Sequence, residues 1–195
     1  MIKPFEFYFD FGSPYTFLAH KQIRIIEKDN LIKVRYMPVV LGGLLKSAGI
    51  KANMDIPIKG KYMVKDCKLC AEKHKIEFKF NNYFPITTLN LMRCVLVAEK
   101  KDFSQNFINK VFDAIWKDGL NLNDSLIIEK LLKNLDINPK TFLIEAADSK
   151  IKDRLKKRTD DAYNKGVFGV PSFIVNNKLF WGQDRLEFAV NEAAK

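Results

Sequence analysis

A serine stands at a strand-to-helix junction suited to stabilising a bound anion. Residues 5–16 read Phe-Glu-Phe-Tyr-Phe-Asp-Phe-Gly-Ser-Pro-Tyr-Thr, an apolar strand that runs straight into Gly12-Ser13-Pro14, with a helical pattern from Pro14 onward. Proline fits the first helical turn because its missing N–H would bond nothing there. The Ser13 hydroxyl therefore sits beside unpaired backbone N–H groups and the positive end of a helix dipole. Such a place holds an anion, and a thiolate is an anion. Serine is also a common N-cap, so a purely structural role stays open from these residues alone. Neither histidine, His20 or His74, is placed by a motif to act as a base for Ser13.

A second candidate is Cys67-Lys-Leu-Cys70, whose spacing is shared by redox and zinc sites. It falls in the helical middle of the chain and not after the first strand. No second pair accompanies it, and Cys94 stands alone in an apolar helix. The pair reads as small, partly buried helical residues, remote from the Ser13 site, and no metal centre is expected.

The elements that must position Ser13 follow from the rest of the chain. Residues 166–185 read Gly-Val-Phe-Gly-Val-Pro-Ser-Phe-Ile-Val-Asn-Asn-Lys-Leu-Phe-Trp-Gly-Gln-Asp-Arg. Gly-Val-Pro ahead of a β-branched run puts a proline at a strand's first residue, where a sheet tolerates it. Asn176-Asn177 marks a turn between two short strands, and Gln183-Asp184 open a final helix. Between the two ends, apolar residues at helical spacing predict helices over 86–101, 103–118, 124–134, 139–148 and 149–164, while 50–62 reads as a loop leading into a helix. The order of strand, helix, strand, long middle, strand, hairpin, strand, helix is the thioredoxin topology with the middle inserted. The expected class is α/β, a thioredoxin fold with a large all-helical insertion. Residues 1–45 and 165–195 form the thioredoxin-like domain and 46–164 the insertion, with the substrate cleft between them.

Composition narrows the partners. The chain has 195 residues and is 47% apolar, enough for a proper core, yet lacks a run of about 18 apolar residues, so no membrane span is expected. Met1-Ile-Lys-Pro leads directly into a strand without an apolar leader, and a cytoplasmic location is expected. The net charge of +10 raises nucleic acid as a partner. The basic residues are dispersed, however, and the densest patch, Lys150–Arg158, reads as a solvated helix face. No nucleic-acid partner is expected; the surplus charge instead suits small anions.

Three segments together resemble one family. Phe-Tyr-Phe-Asp-Phe-x-Ser-Pro-Tyr near the start, Val-Phe-Gly-Val-Pro at 167–171 and Trp-Gly-x-Asp-Arg-Leu at 181–186 resemble the 2-hydroxychromene-2-carboxylate isomerases and kappa-class glutathione transferases, a DsbA-like branch of the thioredoxin fold. In redox members of that fold a Cys-x-x-Cys opens the first helix. Here those positions are Ser13-Pro14-Tyr15-Thr16, so disulfide exchange at that place is chemically excluded. The resemblance implies glutathione as cofactor, with Ser13 hydrogen-bonding its sulfur as the catalytic residue. It implies that the Val170 N–H and C=O pair with the glutathione backbone like an added strand, next to a cis Pro171. Gln183 and Asp184 would hold the γ-glutamyl end at a helix N-terminus. For the second substrate it implies Lys46, Asn53, Met54 and Tyr83, with Met54 replacing the arginine of an Asn-Arg-Asp segment. The implied activity is a glutathione-dependent isomerase or a glutathione transferase acting on a small aromatic or electrophilic molecule, in a homodimer. Two other classes stay open: a DsbA-like thiol–disulfide oxidoreductase using Cys67 and Cys70, and a non-catalytic binder whose Ser13 end holds a carboxylate.

Overall fold

The structure, a computed structural model, describes residues 5–28 and 33–195. The expectation drawn from Met1-Ile-Lys-Pro lies outside the described residues. β1 (Phe5–Phe9) is the central strand. Its side chains alternate, so Phe5, Phe7 and Phe9 bury on one face and Tyr8 on the other. β1 runs parallel to β2 (Val34–Pro38) and antiparallel to β3 (Ser172–Val175), which pairs antiparallel with β4 (Lys178–Trp181). The sheet order is β2-β1-β3-β4. A parallel pair needs a crossover, and α1 (Pro14–Lys28) supplies it. Asn176 and Asn177 both take positive φ, 49° and 60°, in the two-residue turn of the β3–β4 hairpin. This is the expected thioredoxin arrangement, with helices between its two halves.

Those helices are α2 (Leu41–Ala48), α3 (Pro57–Lys73), α4 (Leu89–Lys100), α5 (Ser104–Trp116), α6 (Ser125–Lys133), α7 (Pro139–Ala146) and α8 (Ser149–Asn164); α9 (Leu186–Ala193) follows the hairpin. The five segments read as helical are helices with trimmed ends. α4 begins at Leu89 rather than near 86, because Thr88 spends its hydroxyl on Asp10 while its carbonyl accepts the first helical N–H, that of Met92 at 2.8 Å. The segment 50–62, read as a loop leading into a helix, is that, but its helix begins earlier than the segment's end. There a 3₁₀ turn (Asn53–Asp55) runs into α3, which starts at Pro57. Pro57 accounts for the early start, since it is preorganised for a first turn. Gly60 lets the 3₁₀ turn lie against that helix: a Cβ there would meet the Met54 sulfur at 3.2 Å.

The aromatic face of β1 joins the sheet to the inserted helices. Phe7 stacks on Phe173 at 5.5 Å, and Phe112 of α5 lies 6.0 Å from Phe9 and 4.8 Å from Phe11. Trp116, also on α5, donates its indole N–H to the Phe11 carbonyl at 2.8 Å. Burying each such ring contributes about 1.5–3 kcal/mol. The loop that carries Ser13 is thereby anchored from below. On the other face, Tyr8 packs with Val39, Leu44, Ala162, Val167 and Val170, under α2 and α8. No helix among the described residues is long and apolar enough to cross a membrane.

Candidate active site

Ser13 is 95% buried, directly ahead of Pro14 at the first turn of α1. Its Oγ accepts the Thr16 N–H at 3.2 Å, so the capping role is real. Its carbonyl takes the N–H groups of Thr16 and Phe17, and its own N–H donates to the Asp10 carbonyl at 3.3 Å. The hydroxyl proton points across the fold: Ser13 Oγ donates to the Val170 carbonyl at 3.4 Å. Two motifs separated by 157 positions therefore meet at one hydrogen bond.

The Val170–Pro171 peptide is cis, as expected. Three contacts shape this turn. The Pro171 carbonyl accepts the Gly182 N–H at 2.9 Å, and Ser172 Oγ donates to the Gly169 carbonyl at 2.7 Å. Gly169 lets the turn approach Trp181 closely, since a Cβ there would lie 3.0 Å from the indole nitrogen. Among the described residues, nothing accepts the Val170 N–H, so one backbone donor next to the Ser13 contact is uncommitted.

Gln183 opens a 3₁₀ turn (Gln183–Arg185) after Gly182, whose φ of 105° only glycine adopts readily. The Gln183 carboxamide is mostly buried. It accepts from Gln22 Nε2 at 3.2 Å and donates to Cys70 Sγ at 3.3 Å. Cys70 was expected to lie apart from this site; instead α3 packs across α1 and sets Cys70 on Gln183. Asp184 is exposed and pairs with Arg185 at 2.9 Å. Burial pushes the Cys67 thiol up, and burial followed by the Asp66 and Asp184 carboxylates pushes up that of Cys70. Both stay protonated, the opposite of what a nucleophilic or metal-bound sulfur needs. No cluster of metal-type ligands occurs among the described residues.

A cleft of about 450 Å³ opens beside the first turn of α1, between that helix and the start of α3. Tyr15, Asn53, Ile58, Lys59, Tyr62 and Met63 line it. Tyr15 OH donates to Asp66 Oδ2 at 2.7 Å, and burial together with that bond raises the Tyr15 pKa, keeping it a neutral donor. Of the residues expected to meet the second substrate, only Asn53 lines this cleft. Met54 lies over Gly60. Lys46 is exposed in the last turn of α2, and Tyr83 is exposed in a turn held by Asn81, whose side chain donates to the Ile115 and Leu120 carbonyls.

Sequence reasoning passed over Asp10. It is fully buried beneath the Ser13 turn, and its carboxylate accepts from Gly12 N at 2.9 Å, Thr88 Oγ1 at 2.6 Å and Leu41 N at 2.8 Å. Burial raises its pKa against the opposing pull of those three bonds. Its only local signal was an acid in an aromatic run that also holds Glu6. His20 is also buried, 2.9 Å from the Tyr36 hydroxyl and stacked on Phe112 at 4.9 Å. Burial lowers its pKa to about 3, so it is a neutral core residue, in keeping with its lack of a motif.

The chain is similar to known proteins over nearly its whole length. The DSBA-like thioredoxin domain matches residues 5–194. A 2-hydroxychromene-2-carboxylate isomerase of Sphingobium xenophagum is 26% identical over 190 residues, covering 96% of each chain. Glutathione S-transferase kappa 1 of Rattus norvegicus is 22% identical over 196 residues, covering 93% of this chain and 87% of its own. A solved 2-hydroxychromene-2-carboxylate isomerase superposes with a TM-score of 0.87 at 23% identity, over 95% of this chain and 92% of that one.

Proposed function

The chain belongs to the DSBA-like thioredoxin domain family, and within it we propose a glutathione-dependent isomerase of the 2-hydroxychromene-2-carboxylate isomerase type, or a glutathione transferase, that works through a thiolate stabilised by Ser13. The observation that carries this is the Ser13 Oγ–Val170 O contact at 3.4 Å, beside the uncommitted Val170 N–H. These groups fit a tripeptide thiol. On this reading the Val170 N–H is a backbone donor for its chain, and the Gln183 amide and Asp184 carboxylate would take its γ-glutamyl end. Relatives that bear the isomerase and glutathione transferase names span the same length of chain.

Bound glutathione supplies a nucleophilic sulfur that adds to an electrophilic carbon and, in an isomerase, leaves it again. The chain's part is to keep that sulfur ionised. The Ser13–Val170 bond is at the long limit of hydrogen bonding, so the hydroxyl proton is cheaply redirected to a thiolate. A hydrogen bond to a charged group contributes about 1.5–3 kcal/mol. With one pKa unit near 1.4 kcal/mol, a thiol of about 8.5 falls by about one to two units. The α1 dipole adds about 0.3–1 kcal/mol in the same direction. Thr16 N–H, already on Ser13 Oγ, fixes the hydroxyl's orientation.

Calorimetry with glutathione and S-methylglutathione tests this. A lowered bound-thiol pKa makes the ratio of the two affinities rise by about tenfold between pH 6 and pH 9, since only glutathione ionises at sulfur. A ratio that stays flat contradicts a thiolate site and favours a simple binder.

A further inference from the structure

The amide of Gln183 is held with one polarity, and Gln22 holds it. Gln22 Nε2 donates to two oxygens, the Leu18 carbonyl at 3.3 Å and Gln183 Oε1 at 3.2 Å. A backbone carbonyl only accepts, so the end of the Gln22 carboxamide that faces it has to be the nitrogen. The Gln183 atom that faces the same nitrogen then has to be its oxygen, which leaves the Gln183 nitrogen toward Cys70 Sγ at 3.3 Å. A main-chain oxygen of α1 thus sets the polarity of a side chain two steps away. An amide nitrogen carries two hydrogens. Cys70 takes one, and among the described residues no acceptor meets the second. Gln183 is only 9% exposed, so this N–H is nearly withdrawn from water, where an unpaired donor is costly.

The flanking residues place this donor at the proposed ligand. Gly182, just before it, donates its N–H to the Pro171 carbonyl at 2.9 Å, which sets Gln183 beside the Val170–Pro171 turn. Asp184, just after it, is an exposed carboxylate that Arg185 meets at 2.9 Å. A donor and an acceptor at adjacent positions match an α-amino acid head, which carries a carboxylate and an ammonium. We propose that Gln22 is a positioning residue that turns Gln183 so that its N–H receives the α-carboxylate of the γ-glutamyl end, leaving the ammonium to Asp184. This rests on the glutathione reading. With the amide reversed, its oxygen would face that carboxylate and repel it.

Two analogues separate the two ends. Glutaryl-cysteinylglycine keeps the carboxylate and lacks the ammonium; 4-aminobutyryl-cysteinylglycine does the reverse. Calorimetry compares them in wild type, Gln22→Met, Gln183→Met and the double variant. Gln22→Met weakens glutathione and the glutaryl analogue by about fivefold and leaves the 4-aminobutyryl analogue within about twofold. In the Gln183→Met background the same change has no further effect, because the two side chains act as one unit. Equal loss for both analogues, loss confined to the 4-aminobutyryl analogue, no loss, or additive losses in the double variant overturns the proposal. The amide's orientation is also read without a ligand. A nuclear Overhauser contact between the Gln183 side-chain N–H and the Cys70 β-hydrogens is present in wild type. It is lost in Gln22→Glu, whose carboxylate only accepts and so turns the amide over. Its absence in wild type overturns the positioning role whatever binds. A wild type that shows this contact, loses it in Gln22→Glu and binds none of the three thiols contradicts the glutathione reading and the choice of ligand, while the hold of Gln22 on Gln183 stands.

Discussion

Ser13 divides one hydroxyl between two tasks. Its oxygen caps α1 through the Thr16 N–H, and its proton is left for Val170 or for a ligand in Val170's place. The capping reading and the chemical reading of this residue are therefore compatible, which its type and position alone could not decide. The cysteines show the reverse case. Their helical spacing was plain, but the packing of α3 over Gln183 depends on contacts between positions 113 apart, which no local pattern encodes. Cys70 acts there as a hydrogen-bond acceptor. Cys70→Ser keeps an acceptor for the Gln183 amide, so glutathione affinity stays within about twofold, whereas Cys70→Ala leaves that amide short of a partner and costs about 1 kcal/mol, roughly fivefold in Kd. Calorimetric titration of both variants checks this. Serine binding as poorly as alanine would mean that the sulfur itself matters and would revive a thiol role. Asp10 was hidden for a similar reason: its three donors come from the β1–α1 turn, the start of α2 and the start of α4.

Among the elements, α9 buries Leu186, Ala189 and Ala193 in the core and adds a polar tie through one side chain. Glu192 accepts from Lys178 at 2.9 Å and Asn176 at 3.3 Å, tying the helix to the β3–β4 hairpin, and from Lys195 at 3.0 Å just past the helix end. Those bonds, Lys178 first, then Lys195 and Asn176, hold its carboxyl down to about 2 from an ordinary 4.5. A carboxyl depressed in the folded state stabilises fully above its unfolded pKa and loses that contribution as pH falls through the folded value. Glu192→Gln therefore melts below wild type at neutral pH, and the gap closes as pH drops from 4.5 toward 2. Thermal unfolding followed by circular dichroism across that window measures it, and a constant gap would contradict the assignment. The hairpin itself was legible, because Asn-Asn supplies the two positive φ values its turn demands. The start of α3 was not: Asn53, Asp55, Pro57 and Gly60 are all turn-type residues, yet Pro57 serves as the first helical residue and Gly60 admits Met54.

At the scale of the molecule, the two ends of the chain form the sheet, and the helices between them cover both its faces, α5 against the aromatic face and α2 and α8 against the face of Tyr8. Strand order and helix positions were readable because β1, β3 and the amphipathic helices carry strong local patterns. The cleft was not, since its walls come from α1 and α3, and only Asn53 among its lining residues stood out in the sequence. What the whole arrangement accomplishes, on the function proposed, is to bring one hydroxyl and one free backbone N–H to the same point. The most direct test is a spectrophotometric pH titration of the bound glutathione thiolate in wild type and Ser13→Ala. The backbone contacts of Val170 survive the substitution, so glutathione affinity near neutral pH changes by about twofold or less, while the bound-thiol pKa rises by about one to two units. A wild-type curve displaced to lower pH by that interval is the predicted result; superimposed curves would reduce Ser13 to a helix cap and contradict the proposed chemistry.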